Sequence, residues 1–133
     1  MRVLFLCPHG AAKSVVAAAM FLDRATRLGR TDIEVRDAGT GPDDEVNPIA
    51  VQLLQRLGLP NPGRPQLVTG EDIDWADVVV SLGCPRESLP REPRHWEDWS
   101  DAPGVTEDEQ GLVDLVEARV ATLLTIPGQS ISP

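Results

Sequence analysis

Apolar residues run unbroken from Val3 to Leu6, and Cys7 closes the run. A short apolar stretch of this kind, spanning Arg2 to Leu6, predicts a strand buried on both faces, as in a parallel sheet. From Ser14 to Leu28, alanine, valine, methionine and leucine make a helical segment that Gly29 should end. Ile33-Glu34-Val35-Arg36 alternates like a second strand, and Asp37 to Asn47, with Gly39, Gly41 and Pro42, reads as a loop. Between Pro48 and Leu57 the apolar positions Ile49, Ala50, Leu53, Leu54 and Leu57 keep helical spacing, with Pro48 suited to the first turn and Gly58 to the end. Residues 59–65 are rich in proline and glycine. Thr69 to Ala76 then predicts a short capped helix leading into a strand over Asp77–Leu82, with Cys84 just beyond it. Proline interrupts Pro85 to Arg94 too often for regular structure, and a short strand around Trp96 precedes an acidic loop reaching Pro103. A final helix is expected from Glu107 to Leu124, and residues 126–133 are expected to fray.

Strands alternating with helices imply an α/β fold, a small parallel sheet with helices on both faces. Such sheets bind ligands beyond the C-terminal ends of their strands. Cys7, Cys84 and the loop beginning at Asp37 all follow strand ends, so the topology should gather them on one side. With 133 residues, 41% of them hydrophobic, the chain has the size of one domain, residues 1–133.

Charge narrows the partners. Twelve basic residues against 21 acidic ones, a formal charge of −9, argue against a nucleic-acid surface. A small oxyanion is not excluded, because the field inside a backbone-lined loop is local. Neither a leader-like segment nor an apolar stretch of membrane-spanning length is visible, which predicts a soluble, cytoplasmic protein with no membrane partner. Two cysteines far apart in the chain make neither a metal cluster nor a disulfide framework, and no cofactor is implied.

Candidate chemistry centres on Cys7. It stands where a strand ends and Pro8-His9-Gly10-Ala11-Ala12-Lys13 leads into a helix beginning at Ser14. Free backbone N–H groups and the positive end of a helix dipole at that junction stabilise a thiolate or a bound oxyanion. Gly10-Ala11-Ala12-Lys13-Ser14 also suggests the tail of a nucleotide-binding loop. That pattern needs glycine directly before the lysine and again five residues before that glycine, whereas Ala12 and Cys7 stand there.

A strand-terminal cysteine, five intervening residues, a cation and a serine opening a helix resemble the low-molecular-weight protein tyrosine phosphatase superfamily. Further blocks occur in the superfamily's order: Ala38-Gly39-Thr40, Val46-Asn47-Pro48, Trp75 to Val80 with Gly83-Cys84, and Glu97-Asp98-Trp99. They look most like its arsenate-reductase branch. The resemblance implies a four-stranded parallel sheet flanked by helices. It also implies Cys7 as thiolate nucleophile, stabilised by Ser14, with backbone amides of residues 8–14 (Pro8, His9, Gly10, Ala11, Ala12, Lys13, Ser14) around the oxyanion. Lys13 would hold charge, Asp101 would be the general acid, and Cys84 would be a second, redox cysteine. The expected substrate is a small oxyanion or a phosphomonoester, with a thiol reductant as a further partner.

Several positions depart from the superfamily's pattern. Lys13 replaces an arginine, and exchanging a planar fork for a point charge could cost about 2 to 4 kcal/mol in transition-state stabilisation. Gly10 replaces an asparagine, Asp37 replaces a serine, and Ala102 separates Asp101 from Pro103. No third cysteine follows Cys84, which excludes a three-cysteine relay. Two alternatives therefore stand beside an arsenate-reductase-like or phosphatase-like enzyme. One is a catalytically impaired relative that binds an anion or a phosphorylated partner without turnover; the other is a two-cysteine thiol redox protein. Blander readings apply elsewhere: Cys84 as core, His9 as an exposed loop residue, Trp96 and Trp99 as core-finishing aromatics.

Overall fold

In the computed structural model, which describes residues 1–125, four parallel strands form one sheet in the order β2-β1-β3-β4. These are β1 (Arg2–Cys7), β2 (Glu34–Gly39), β3 (Val78–Ser81) and β4 (Trp96–Asp98). The helices are α1 (Lys13–Arg27), α2 (Pro48–Arg56), α3 (Gly70–Trp75) and α4 (Glu109–Leu123), with a short 3-10 turn at Arg86–Ser88. The tail expected to fray lies outside the described residues. Among those described, no helix is long and apolar enough to cross a membrane.

The sheet follows from its side chains. β1 and β3 are central and buried almost throughout, which explains their unbroken apolar runs, while the edge strands β2 and β4 carry charge. Val3 and Phe5 point to the face covered by α1, α2 and α4, where Phe21, Leu54, Leu112 and Val116 complete the larger core. Phe5 packs against the rings of Phe21 and Trp99 at 5.6 and 5.9 Å between centroids. Leu4 and Leu6 face the opposite side, against Ala38, Ile73, Val79 and Cys84.

Local signals set the helix ends. Asn47 caps α2, its side-chain oxygen accepting from the Ile49 amide at 2.8 Å, and Pro48 occupies the first turn. Thr69 and Asp72 close a capping box on α3. Asp108 caps α4, so that helix starts at Glu109, two residues later than expected.

One expected boundary is corrected. Asp37, Ala38 and Gly39 belong to β2, pairing with Phe5, Leu6 and Cys7, and are not loop. Asp and Gly are poor strand formers, so the alternation seemed to stop at Arg36, but the neighbouring strand supplies hydrogen-bond partners that override the propensity. Gly39 also takes part in a bridge to Leu67 on its far side. The stretch after Cys84 contains the 3-10 turn, closed by a bond from Ser88 Oγ to the Pro85 carbonyl at 2.6 Å.

The register brings the strand ends together. Cys7 is level with Gly39, Leu6 with both Ala38 and Ser81, and Ser81 with Asp98. The loops after all four strands therefore emerge from one edge of the sheet.

Candidate active site

The loop after β1 is shaped by its backbone. The Gly10 amide turns back onto the Cys7 carbonyl at 3.2 Å, and Gly10 adopts φ +58°, a left-handed conformation that costs glycine little. A side chain on Gly39 would meet the Gly10 amide nitrogen at 2.6 Å and the Cys7 carbonyl oxygen at 3.0 Å. The two glycines let β2 lie flush against the loop.

Three loop carbonyls are bound to the segment after β2. Pro8 O accepts from Gly41 N at 2.8 Å, His9 O from Asp43 N at 3.0 Å and Ala11 O from Asn47 N at 2.9 Å. In a trans peptide the carbonyl and the following N–H point in opposite directions, and the chain has no cis bond among the described residues. The amides of His9 and Ala12 therefore point away from the 40–47 segment, and among the described residues they donate to no protein acceptor. Together with the first turn of α1, they make a cradle of donors suited to an anion.

Within it Cys7 is 4% exposed and Ser14 fully buried, with 3.1 Å between Sγ and Oγ. A hydroxyl donating to a thiolate stabilises the charged form. Lys13 reaches across to the loop after β4, its ammonium donating to the Ala102 carbonyl at 3.2 Å. Gly83 lies against Pro8 and the Lys13 ammonium, so the loop after β3 borders the same place.

The other predicted site residues are held by partners of their own. Asp101 is gripped by Arg119 of α4 through two bonds, Nη1 to Oδ1 at 2.7 Å and Nη2 to Oδ2 at 2.6 Å. That grip holds its carboxyl below the usual carboxylate range, so Asp101 carries no proton at neutral pH in this arrangement. Cys84, 4% exposed, belongs to the core cluster beneath α3, not to the one containing Cys7. Burial is the main cause that pushes its thiol pKa up, with Cys7 adding to the rise, while Thr40 Oγ1 at 3.7 Å opposes it. A raised pKa leaves little thiolate for attack near neutral pH. Both cysteines are free thiols. His9 is exposed, its Nδ1 3.2 Å from Asp43 Oδ1. Trp99 is buried and Trp96 half-buried, as core-finishing residues would be.

Sequence reasoning passed over Arg119 and Thr40. Arg119 sits 18 residues from Asp101 and looks like any solvated helix arginine, so nothing marked it. Thr40 was visible within Ala38-Gly39-Thr40, but its contact with Cys84 depends on the strand order.

Asp37 is a different case. Its side chain is half-buried on β2, and desolvation raises its carboxyl pKa. A carboxyl whose folded pKa exceeds its unfolded value binds protons preferentially in the folded state, so it favours folding less as pH rises through that window. Asp37→Asn is accordingly expected to stabilise the fold by about 1 kcal/mol at pH 7. The gain should shrink as pH falls below the folded pKa and vanish below the ordinary carboxylate value, in urea melts at a series of pH values.

This sheet order, with a cysteine loop between the first strand and the first helix, is that of the small cysteine phosphatases. The sequence pattern of the low molecular weight phosphotyrosine protein phosphatase family matches residues 2–92, and the chain belongs to that family. Over 124 residues it is 29% identical to a Halobacterium salinarum protein named "Putative arsenate reductase", covering 90% of this chain and 87% of that protein. A thioredoxin-dependent arsenate reductase from Corynebacterium glutamicum is also 29% identical, with a TM-score of 0.73 over 92% of this chain. The match spans 58% of that longer chain. YfkJ from Bacillus subtilis, 21% identical, shares the fold with a TM-score of 0.83 over 100% of this chain and 97% of its own.

Proposed function

We propose that this protein is a cysteine-dependent enzyme acting on arsenate or a phosphomonoester, with Cys7 as the nucleophile. The carrying observation is the Cys7–Ser14 bond at 3.1 Å beneath a loop whose carbonyls at positions 8, 9 and 11 are drawn off to its neighbour. Those bonds leave the amide side of the loop for an anion. The 29% identity to two proteins named as arsenate reductases weights the substrate toward arsenate.

The chemistry follows from the groups present. The Cys7 thiolate attacks phosphorus or arsenic, a sulfur–phosphorus or sulfur–arsenic bond forms, and the bond to the leaving oxygen breaks. Backbone amides of the loop through Ser14 and the Lys13 ammonium balance charge on the remaining oxygens. Asp101, once protonated, gives its proton to the leaving oxygen. With a phosphoester, water then releases phosphate and restores Cys7. With arsenate, a second thiol, Cys84 or an external one, attacks the Cys7 sulfur, the sulfur–arsenic bond breaks with its electron pair going to arsenic as arsenite, and an external thiol reductant opens the resulting disulfide to restore Cys7.

A second reading has its own support. Lys13 is engaged by Ala102 and Asp101 by Arg119, which favours an anion-binding relative that turns over slowly or not at all. Para-nitrophenyl phosphate hydrolysis between pH 5 and 8, with arsenate reduction in the presence of small thiols or thioredoxin, separates them. Turnover of either substrate supports the enzyme, whereas phosphate binding with no turnover supports the second reading. Lys13→Arg is expected to recover part of the roughly 2 to 4 kcal/mol lost with the fork, at least about tenfold in kcat/KM, because a guanidinium contacts two oxygens at once. No gain would mean that the cation is not what limits the site.

A further inference from the structure

We propose that Arg119 is a positioning residue that latches the loop after β4: its two-pronged grip on Asp101 holds the acid in α4's keeping, and proton donation begins with release of that grip. This rests on the roles of Cys7 and Asp101 proposed above, and concerns a residue 18 positions from the acid, outside the cysteine loop.

Three observations support the latch. Both carboxylate oxygens of Asp101 accept from Arg119, at 2.7 and 2.6 Å, so the carboxylate is held by α4 through both oxygens. The guanidinium is itself held in place, 5.8 Å from the centre of the buried Trp99 ring. It also faces the negative charges of Glu97 and Asp98 on β4, and Glu97 is shared with His95 at 2.9 Å. Finally, Ala102, next to Asp101, accepts from Lys13, so the same short loop is tied to α4 on one side and to the cysteine loop on the other.

Protonation and release favour each other. A carboxyl that gains a proton loses its charge and much of its acceptor strength toward the guanidinium. The acid form therefore exists chiefly with the fork broken, and the lowered pKa of Asp101 agrees with this. An oxyanion that recruits the Lys13 ammonium removes the second tie from Ala102. Substrate binding thus loosens the loop whose acid the reaction needs. Without Arg119, Asp101 loses the cation that holds its charged form, which favours proton uptake.

The test compares Arg119→Gln and Arg119→Lys with the unmodified protein, each checked by circular dichroism. The Asp101 side-chain carboxyl is followed by carbon NMR against pH, a readout independent of turnover. Its midpoint is expected to move upward in Arg119→Gln and by less in Arg119→Lys, which keeps the charge but not the fork. Activity is read on two esters at pH 6.5. Phenyl phosphate, a poor leaving group that needs the acid, is expected to gain about threefold or more in kcat relative to para-nitrophenyl phosphate. An unmoved Asp101 midpoint, or an equal change on both esters, overturns the latch. If the unmodified protein neither hydrolyses these esters nor reduces arsenate, the proposed chemistry of Cys7 fails, and the titration alone decides whether Arg119 holds Asp101. Should Arg119→Gln not fold, Arg119→Lys decides both readouts.

Discussion

Cys7→Ser is expected to lose at least about three orders of magnitude in kcat for para-nitrophenyl phosphate while remaining folded. An alcohol ionises far less readily than a thiol and is the weaker nucleophile near neutral pH. The fold should tolerate the change. Cys7 is a small buried residue with Ser14 Oγ already 3.1 Å away, so the new hydroxyl inherits a partner. The informative comparison is kcat beside the thermal midpoint, with phosphate binding followed by calorimetry. Retained binding with lost turnover assigns the nucleophile; hydrolysis surviving in Cys7→Ser would remove Cys7 from the chemistry altogether.

Gly39→Ala comes next in expected effect, although Gly39 lies outside the loop it supports. Its new methyl would stand 2.6 Å from the Gly10 nitrogen, 2.9 Å from the His9 carbonyl carbon and 3.0 Å from the Cys7 oxygen. All three are backbone atoms that cannot rotate aside, so either β2 or the cysteine loop must move. Overpacking of this kind costs about 1 to 3 kcal/mol, and a shift of about 1 Å in a positioning loop can cost about a hundredfold in rate. Both losses are expected together, in urea melts and in kcat/KM. Normal stability with normal activity would show that the close approach is not required. Gly83→Ala is strained for a different reason: Gly83 adopts φ +112°, which L side chains rarely take, while its nearest neighbours are the Pro8 ring and the Lys13 side chain rather than packed backbone.

Much of this architecture was legible in residue pattern. The unbroken runs of β1 and β3 announced central parallel strands, and Pro48 and Thr69 marked helix starts that the structure keeps. The clustering of Cys7, the segment after Gly39 and the Gly83-Cys84 turn at one edge followed from strand ends alone. What could not be read depended on distant pairing. Asp37 to Gly39 became strand only because β1 lies alongside, and Arg119 met Asp101 only because α4 packs beside β4. The two cysteines show the same limit: both follow strand ends, yet they enter different apolar clusters because their chains leave opposite faces of the sheet.

The three carbonyls that the cysteine loop gives to Gly41, Asp43 and Asn47 also set how the site can open. Because Asn47 caps α2 as well, the loop, the intervening segment and the start of that helix share one ladder of bonds. Such a ladder exchanges its amide protons as a unit, opening in one cooperative step rather than fraying residue by residue. An anion held on one side of the peptide planes would slow that opening, and the protection would extend to amides that never touch it. The rigidity of the cysteine loop is thus on loan from a stretch of chain that contributes no amide to its cradle.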